Sequence, residues 1–240
     1  MTTANTTPSS EVTSCPFCGK PYKTVVIPAL FGMPERIVLS KRCGCAGELE
    51  SERELLYREK VRERESILRS TGIPKRYWEV PEDTTYMDAI SQGGVFFYGN
   101  VGRGKTYSAV GLLKAWMNRN RGKRAVFADS NAIFSRIRQT YDTGESERDA
   151  MWRFIGCDLL LYDDFGKGRP GEWSLSKVED IVNERYNELR PTIFTSQWVG
   201  GELVSRLAEG GSEESALAVV SRINGMCQLV KMDGPDRRLQ

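Results

Sequence analysis

The chain of 240 residues contains no histidine. That absence excludes Ser-His-Asp and Cys-His nucleophilic catalysis and leaves cysteine and carboxylate as the side chains that could hold a metal ion. Long apolar runs are missing as well: none approaches the ~18 consecutive residues of a membrane span. Net charge is small, with 34 basic against 32 acidic residues giving +2. Overall charge therefore does not argue for a polyanion partner, although locally basic faces can still bind one. The first residues, MTTANTTPSSEVTS, lack the basic and apolar regions of a signal peptide, so a cytoplasmic protein is expected. What remains is 28% charged and 40% hydrophobic, a globular composition long enough for one or two domains.

Cysteine is present with a pattern. Cys15 and Cys18 form a C-x-x-C knuckle beside Gly19, and Cys43 and Cys45 form a tighter C-x-C pair. Between them TVVIPALFG and RIVL read as two short strands, so a hairpin would bring the pairs together. Four thiolates make a closed tetrahedral zinc site, which stabilises a segment too small to hold a core alone. Free thiols or a redox pair are the alternatives. Cys157 and Cys227 lie in apolar runs and read as core residues.

From Glu48 to Arg69 the chain is dense in Glu and Arg, with opposite charges three or four residues apart, the pattern of a solvated helix. It reads as a linker, and Gly72 and Pro74 end it. The expected organisation is a zinc-binding domain over 1–47, a charged helical linker over 48–72 and a larger domain over 73–240. In the last of these, short β-rich runs (95–99, 124–129, 158–164, 192–196, 228–232) alternate with helix-period segments. This predicts an α/β domain with a five-stranded parallel sheet covered by helices on both faces.

The run Gly99-Asn100-Val101-Gly102-Arg103-Gly104-Lys105-Thr106, followed by Tyr107, lies between an apolar strand and an amphipathic helix. That is the context of a phosphate loop, whose glycines let backbone N–H groups surround phosphates. Lys105 would reach the β- and γ-phosphates, and the Thr106 hydroxyl would ligate magnesium. Asp163 and Asp164 end the strand DLLLYDD at the carboxyl edge of the sheet, where ligands of such folds collect. Asp163 is expected to hold magnesium through its water shell, and Asp164 to position or deprotonate the attacking water.

In GIPKRYW, GNVGRGKT, LLLYDDFG, VNERYNELRPTIFTSQ and VVSRI the chain resembles the AAA+ ATPases of the DnaC and IstB group over about residues 72 to 240. CPFCGK followed by a charged helix is similar to cysteine-containing DnaC-type replication proteins. The resemblance implies an AAA+ P-loop NTPase fold with a reduced or absent lid and a small N-terminal zinc-binding domain with four cysteine ligands. It further implies ATP/ADP as nucleotide with Mg2+, and Zn2+ in the head. Its partners would be a DnaB-type replicative helicase, single-stranded DNA and further copies of the chain in the ATP state. It implies a γ-phosphate sensor at the end of the fourth strand, at Ser196 or Gln197, with Gln197 where relatives usually carry Asn. It matches Arg222 to an arginine finger serving a neighbouring subunit, and Arg185 to a family position of unassigned role. Arg237 or Arg238 could supply late positive charge.

The segment SNAIFSRIRQTYD places Arg136 and Arg138 beside Phe134 and Tyr141, a composition suited to single-stranded DNA, while Ile133, Phe134 and Ile137 have core spacing. Two other readings stay open: an IstB-like ATPase helper of a transposase, and a non-hydrolysing nucleotide-dependent adaptor.

Overall fold

The computed structural model describes residues 14–27, 36–39, 42–167, 171–209 and 211–236. The chain divides into two compact units, Met1–Glu65 and Ser66–Gln240, with the division falling inside helix α1 (Ala46–Thr71).

In the first unit, β1 (Thr24–Ile27) and β2 (Arg36–Leu39) pair antiparallel in the register Thr24↔Leu39 to Ile27↔Arg36, the expected hairpin strands. An antiparallel bridge from Ser14 to Pro21 frames the turn that carries Cys15 and Cys18. The helical charges pair as their spacing predicts, Arg58 with Glu54 at 2.5 Å and Arg53 with Glu50 at 3.9 Å. These exposed pairs contribute only ~0.3–0.5 kcal/mol each.

The second unit is built on five parallel strands: β3 (Gly94–Tyr98), β4 (Ala125–Asp129), β5 (Leu159–Phe165), β6 (Thr192–Ser196) and β7 (Gln228–Lys231). Their order across the sheet is β4-β5-β6-β3-β7. Strands β3 to β6 read as nearly continuous apolar runs because both faces are covered, whereas β7 at the sheet edge is largely exposed. Alternate residues divide between two layers. Val95, Phe97, Leu159, Leu161 and Ile193 pack on one side with Ala109, Leu112, Leu113 and Trp116 of α3 (Lys105–Arg119). A short 3-10 turn (Lys75–Tyr77) and the five-residue α2 (Met87–Ser91), neither of which the sequence pattern announces, belong to the same side, where Trp78, Ala89 and Ile90 are buried.

On the other face Phe96, Val126, Leu160, Tyr162 and Phe194 are buried by the remaining helices. These are α4 (Ser130–Thr143), α5 (Glu147–Ile155), α6 (Glu172–Asn187), α7 (Gly200–Ala208) and α8 (Glu213–Met226). Because β6 lies between β3 and β5, the loop leaving β3 and the acids ending β5 are not on adjacent strands. The last residues of β6 occupy the gap between them.

Candidate nucleotide site

The loop after β3 turns into α3 at Gly104, which caps the helix in a left-handed conformation (φ 85°) that a side chain rarely adopts. No side chain caps this end, so the first N–H groups of α3 are left for an anion. Lys105 is buried and folds its ammonium back on the loop, donating to the carbonyls of Gly99 at 2.7 Å and Asn100 at 2.8 Å. A phosphate entering the loop would compete with those carbonyls for the same cation. Met232 extends the sheet past β7 by donating its amide to the Tyr98 carbonyl at 2.8 Å. The chain after it brings Asp236 to the loop, where its carboxylate fills the space that a Cβ on Gly102 would need.

Thr106 donates its hydroxyl to Oδ1 of Asp163 at 2.8 Å, joining the loop to the end of β5 across the intervening strand. The bridge is completed from β6: Thr195 donates to the same Oδ1 at 2.5 Å. Burial raises the pKa of Asp163 above the ordinary carboxylate value, opposed by the two hydroxyl donors. Between Tyr162 and Phe165 the β5–β6 register shifts, and Asp164 takes a positive φ of 52°. Such an irregularity re-aims a side chain at a strand end. The Asp164 amide donates to Thr195 Oγ1 at 2.9 Å, and its carboxylate pairs with Lys167 Nζ at 2.6 Å.

Val101, Gly102, Gly104, Lys105, Thr106, Tyr107, Asp164 and Gln197, together with Tyr77 and Lys167, line a cavity of 670 Å³, which Asp163 and Thr195 do not border. The volume and the mixed lining suit a nucleotide. Gly99, Asn100 and Arg103 belong to the loop without bordering the cavity. The sequence reading does not point to Tyr77 or Lys167. The signal for Tyr77 is an aromatic in the turn after Pro74, and Arg76 stacks on its ring at 4.6 Å from the centroid. The signal for Lys167 is a lysine three residues past the second Asp.

Gln197 faces the cavity, whereas Ser196 is fully buried and donates its hydroxyl to the Phe165 carbonyl at 2.8 Å. Arg222 lies near the carboxyl end of α8, which enters β7 at the edge of the sheet opposite the phosphate loop. It is half-buried and makes no hydrogen bond or ion pair with the described residues. Arg185 has an internal role: 1% exposed, it donates to the carbonyls of Phe154, Ile155 and Cys157 at 2.9 Å each, to Pro191 at 2.6 Å, and to the Thr192 hydroxyl at 2.9 Å. It ties the end of α5 to the start of β6.

On α4, Ile133 and Ile137 are core residues. Arg136 pairs with Glu145, and Arg138 lies 5.1 Å from the centroid of Trp173, against which Phe134 also packs. The Tyr141 hydroxyl donates to Glu147 at 2.9 Å. Cys157 and Cys227 are buried. Arg237 and Arg238 lie outside the described residues.

In the first unit the four thiols of Cys15, Cys18, Cys43 and Cys45 lie within 4.8 Å of one another. The Cys15–Cys45 separation is 3.7 Å and Cys18–Cys43 is 3.4 Å. Sulfurs at ~2.3 Å from a tetrahedral zinc stand about 3.8 Å apart, so the cluster fits that ion. The Cys18 thiol is lowered to about 7, first by the Lys20 backbone and then by Cys43, while Cys43 is pushed up to about 12 by its contact with Cys18 and by burial. Glu48 accepts the amides of Cys43 at 2.7 Å and Gly44 at 2.6 Å, fixing the second pair.

No protein-family model matches the sequence, and no curated protein matches it. Solved structures do. The DnaC helicase loader superposes with a TM-score of 0.55 at 27% identity, over 67% of this chain and 100% of that one. DnaA from Aquifex aeolicus bound to AMPPCP superposes with a TM-score of 0.50 at 21% identity, over 63% of this chain and 46% of that one. Domain III of the replication initiation protein DnaA from Thermotoga maritima gives 0.50 and 18%, over 72% and 62% respectively. This chain thus spans less than two thirds of either DnaA chain, and these two likenesses bear on fold alone. The expected class is borne out: an α/β domain with a five-stranded parallel sheet and the AAA+ fold of DnaC and DnaA. The likeness to the DnaC-type AAA+ proteins, expected from the motifs, is found at the level of structure.

Proposed function

We propose that this protein is an ATP-dependent helicase loader, in which an AAA+ ATPase domain over 73–240 is joined by the helical segment 48–72 to a zinc-binding head over 1–47. The observation that carries the ATPase reading is the Thr106–Asp163 hydrogen bond of 2.8 Å, which puts the phosphate loop and the paired acids at one site. The loader reading is supported by the likeness to the DnaC helicase loader, which extends over the whole of that chain.

In this reading the loop amides and Lys105 bind the β- and γ-phosphates of ATP. Thr106 and Asp163 would hold magnesium, which supplies charge neutralisation on the phosphate oxygens when bound. Asp164 orients the attacking water and accepts its proton, once its carboxylate is released from Lys167. Gln197, on the cavity wall, is the γ-phosphate sensor of this reading. Arg222, at the far edge of its own sheet, serves the nucleotide of a neighbouring copy, so hydrolysis depends on assembly. Cys15, Cys18, Cys43 and Cys45 hold zinc and keep the head folded for a DnaB-type helicase, and the Arg138–Trp173–Phe134 cluster contacts single-stranded DNA.

The test is capture of the host's replicative helicase by the full chain with ATP and magnesium, with and without zinc chelation. ATP-dependent capture lost on chelation supports the loader. Failure to capture helicase, combined with tight duplex DNA binding, supports the transposase helper instead. Absence of hydrolysis in the assembled state supports the adaptor.

A further inference from the structure

At the opposite edge of the sheet from the nucleotide cavity, the structure assigns a second surface to single-stranded nucleic acid. It is built on the α3–β4 connection, residues 119–124, which reads RNRGKR and is exposed except at Asn120. The connection turns tightly, with the Lys123 amide donating to the Asn120 carbonyl at 3.0 Å. Beside it lies the carboxyl end of α5: Arg124 donates to the carbonyls of Trp152 and Arg153 at 3.3 Å each. The start of β6 adds Arg190, which donates to the Gly156 carbonyl at 3.2 Å.

Basic residues at helix carboxyl ends are ordinary, because they satisfy the last carbonyls. Arg124 and Arg190 have that duty here. Arg121 and Arg153 do not: both are exposed, and neither guanidinium makes a hydrogen bond or ion pair with the described residues. Lys123, 61% exposed, touches Asp158 only at 3.5 Å, and Asp158 is already held by the Arg124 amide at 2.8 Å. A chain of net charge +2 therefore carries on this edge two guanidiniums without an ion pair and a lysine held only by an exposed 3.5 Å pair, the electrostatic footprint of a phosphate backbone.

Trp152 makes the surface more than a charged patch. Its ring is 49% exposed in the midst of these cations. It is also held in place: Arg190 lies 5.7 Å from its centroid, and its edge packs so closely on Gly156 that a Cβ there would fall 2.5 Å from Cε2. A fixed, half-exposed indole between cations is a platform for an unpaired base, which duplex DNA does not offer. The strands between the two edges have five residues in β4 and β6, so the surface lies about 15 Å from the nucleotide cavity at ~3.3 Å per residue. It is also distinct from the Arg138 cluster, which follows β4 at the nucleotide edge.

The test uses the nucleotide-free full chain and a fluorescent oligo-dT, with anisotropy titrations at several salt concentrations. Variants are Arg121→Ala with Lys123→Ala, Trp152→Ala, Trp152→Phe, and Arg138→Ala, each checked for unchanged thermal unfolding. The double variant is expected to weaken binding and to flatten the log–log salt slope by about 1.4, at ~0.7 per lost phosphate contact. Trp152→Ala is expected to weaken binding about tenfold at unchanged slope, Trp152→Phe much less, and a duplex of equal length to bind without sensitivity to Trp152. Unchanged affinity and slope in the double variant would overturn the assignment. So would a duplex bound as tightly as oligo-dT with Trp152→Ala inert, which would make the edge a duplex-phosphate surface. Loss confined to Arg138→Ala would overturn it while leaving the contact proposed on α4 standing.

Discussion

Thr195 and Asp163, on neighbouring strands, share a hydrogen bond of 2.5 Å in which the threonine hydroxyl is the donor. The same hydroxyl oxygen accepts the Asp164 amide at 2.9 Å, so one buried side chain on β6 positions both acids of β5. Removing a donor from a buried carboxylate costs about 1.5–3 kcal/mol, a factor of roughly ten to a hundred in rate if the positioning is required in the transition state. Thr195→Val is therefore expected to lower kcat for ATP hydrolysis by that factor, with KM changing little. Thr195→Ser, which keeps the donor, should restore most of it. A valine variant with wild-type kcat would show that β6 does not set the acids.

The phosphate loop and the acid pair are legible in the sequence because each is local: glycine spacing on one turn, and two carboxylates ending one apolar strand. The α/β class follows from alternation, since a strand buried on both faces leaves runs such as VFFY and LLLY. Thr195 is different. Its importance comes from strand order, which puts β6 between β3 and β5, and no local pattern states that order. Lys167 needed the bulge that turns Asp164 toward it, and Tyr77 needed the return of the chain across α3. Arg185 matched a family position, yet its reason is packing: it is held by backbone carbonyls that only the folded α5–β5 connection gathers. Trp152 lies in an amphipathic helix like any other apolar residue, and its exposure is a tertiary fact.

Zinc removal gives a prediction specific to one unit. If the ion holds Cys15, Cys18, Cys43 and Cys45, then one zinc per chain is expected by elemental analysis, and Cys18→Ser with Cys43→Ser should reduce it to none. Because structural zinc contributes folding energy directly, chelation should make the head susceptible to proteolysis before Glu65. Nucleotide binding by the second unit, measured by fluorescent analogue titration, should stay within about twofold, since its core is its own. Loss of nucleotide binding on chelation would contradict this separation.

Acid stability has a predictable sign. Asp158 titrates below its ordinary 3.8, chiefly through the Arg124 amide and then Lys123, and Glu147 below its ordinary 4.5, through Lys177 and the Tyr141 hydroxyl. A carboxylate whose pKa is depressed by folding contributes stability fully above its unfolded value and loses it as pH falls toward the folded one. Denaturant midpoints of Asp158→Asn and Glu147→Gln should thus lie below wild type at pH 6, with the gap closing below about pH 4. A gap as large at pH 3 as at pH 6 would assign the loss to packing instead of charge.

Arg222 and Asp164 allow a test of assembly that neither variant gives alone. Arg222 lies toward the edge where α8 enters β7, away from the cavity of its own chain, and has no partner among the described residues. If its guanidinium serves a neighbour, Arg222→Ala chains keep intact acids and lack only the cation supplied by the next copy. Asp164→Asn chains have the converse defect. Each alone should hydrolyse ATP at least about a hundredfold more slowly than wild type, the scale of losing a general base or a charge-stabilising donor. Mixed in equal amounts, some interfaces pair a wild-type acid with a wild-type Arg222, so activity should rise well above that of either variant, toward roughly a quarter of the wild-type rate. Arg222→Ala alone should bind nucleotide as wild type does, because the loop and Lys105 are untouched. A mixture no more active than its components would place Arg222 outside the reaction and return it to the surface of α8.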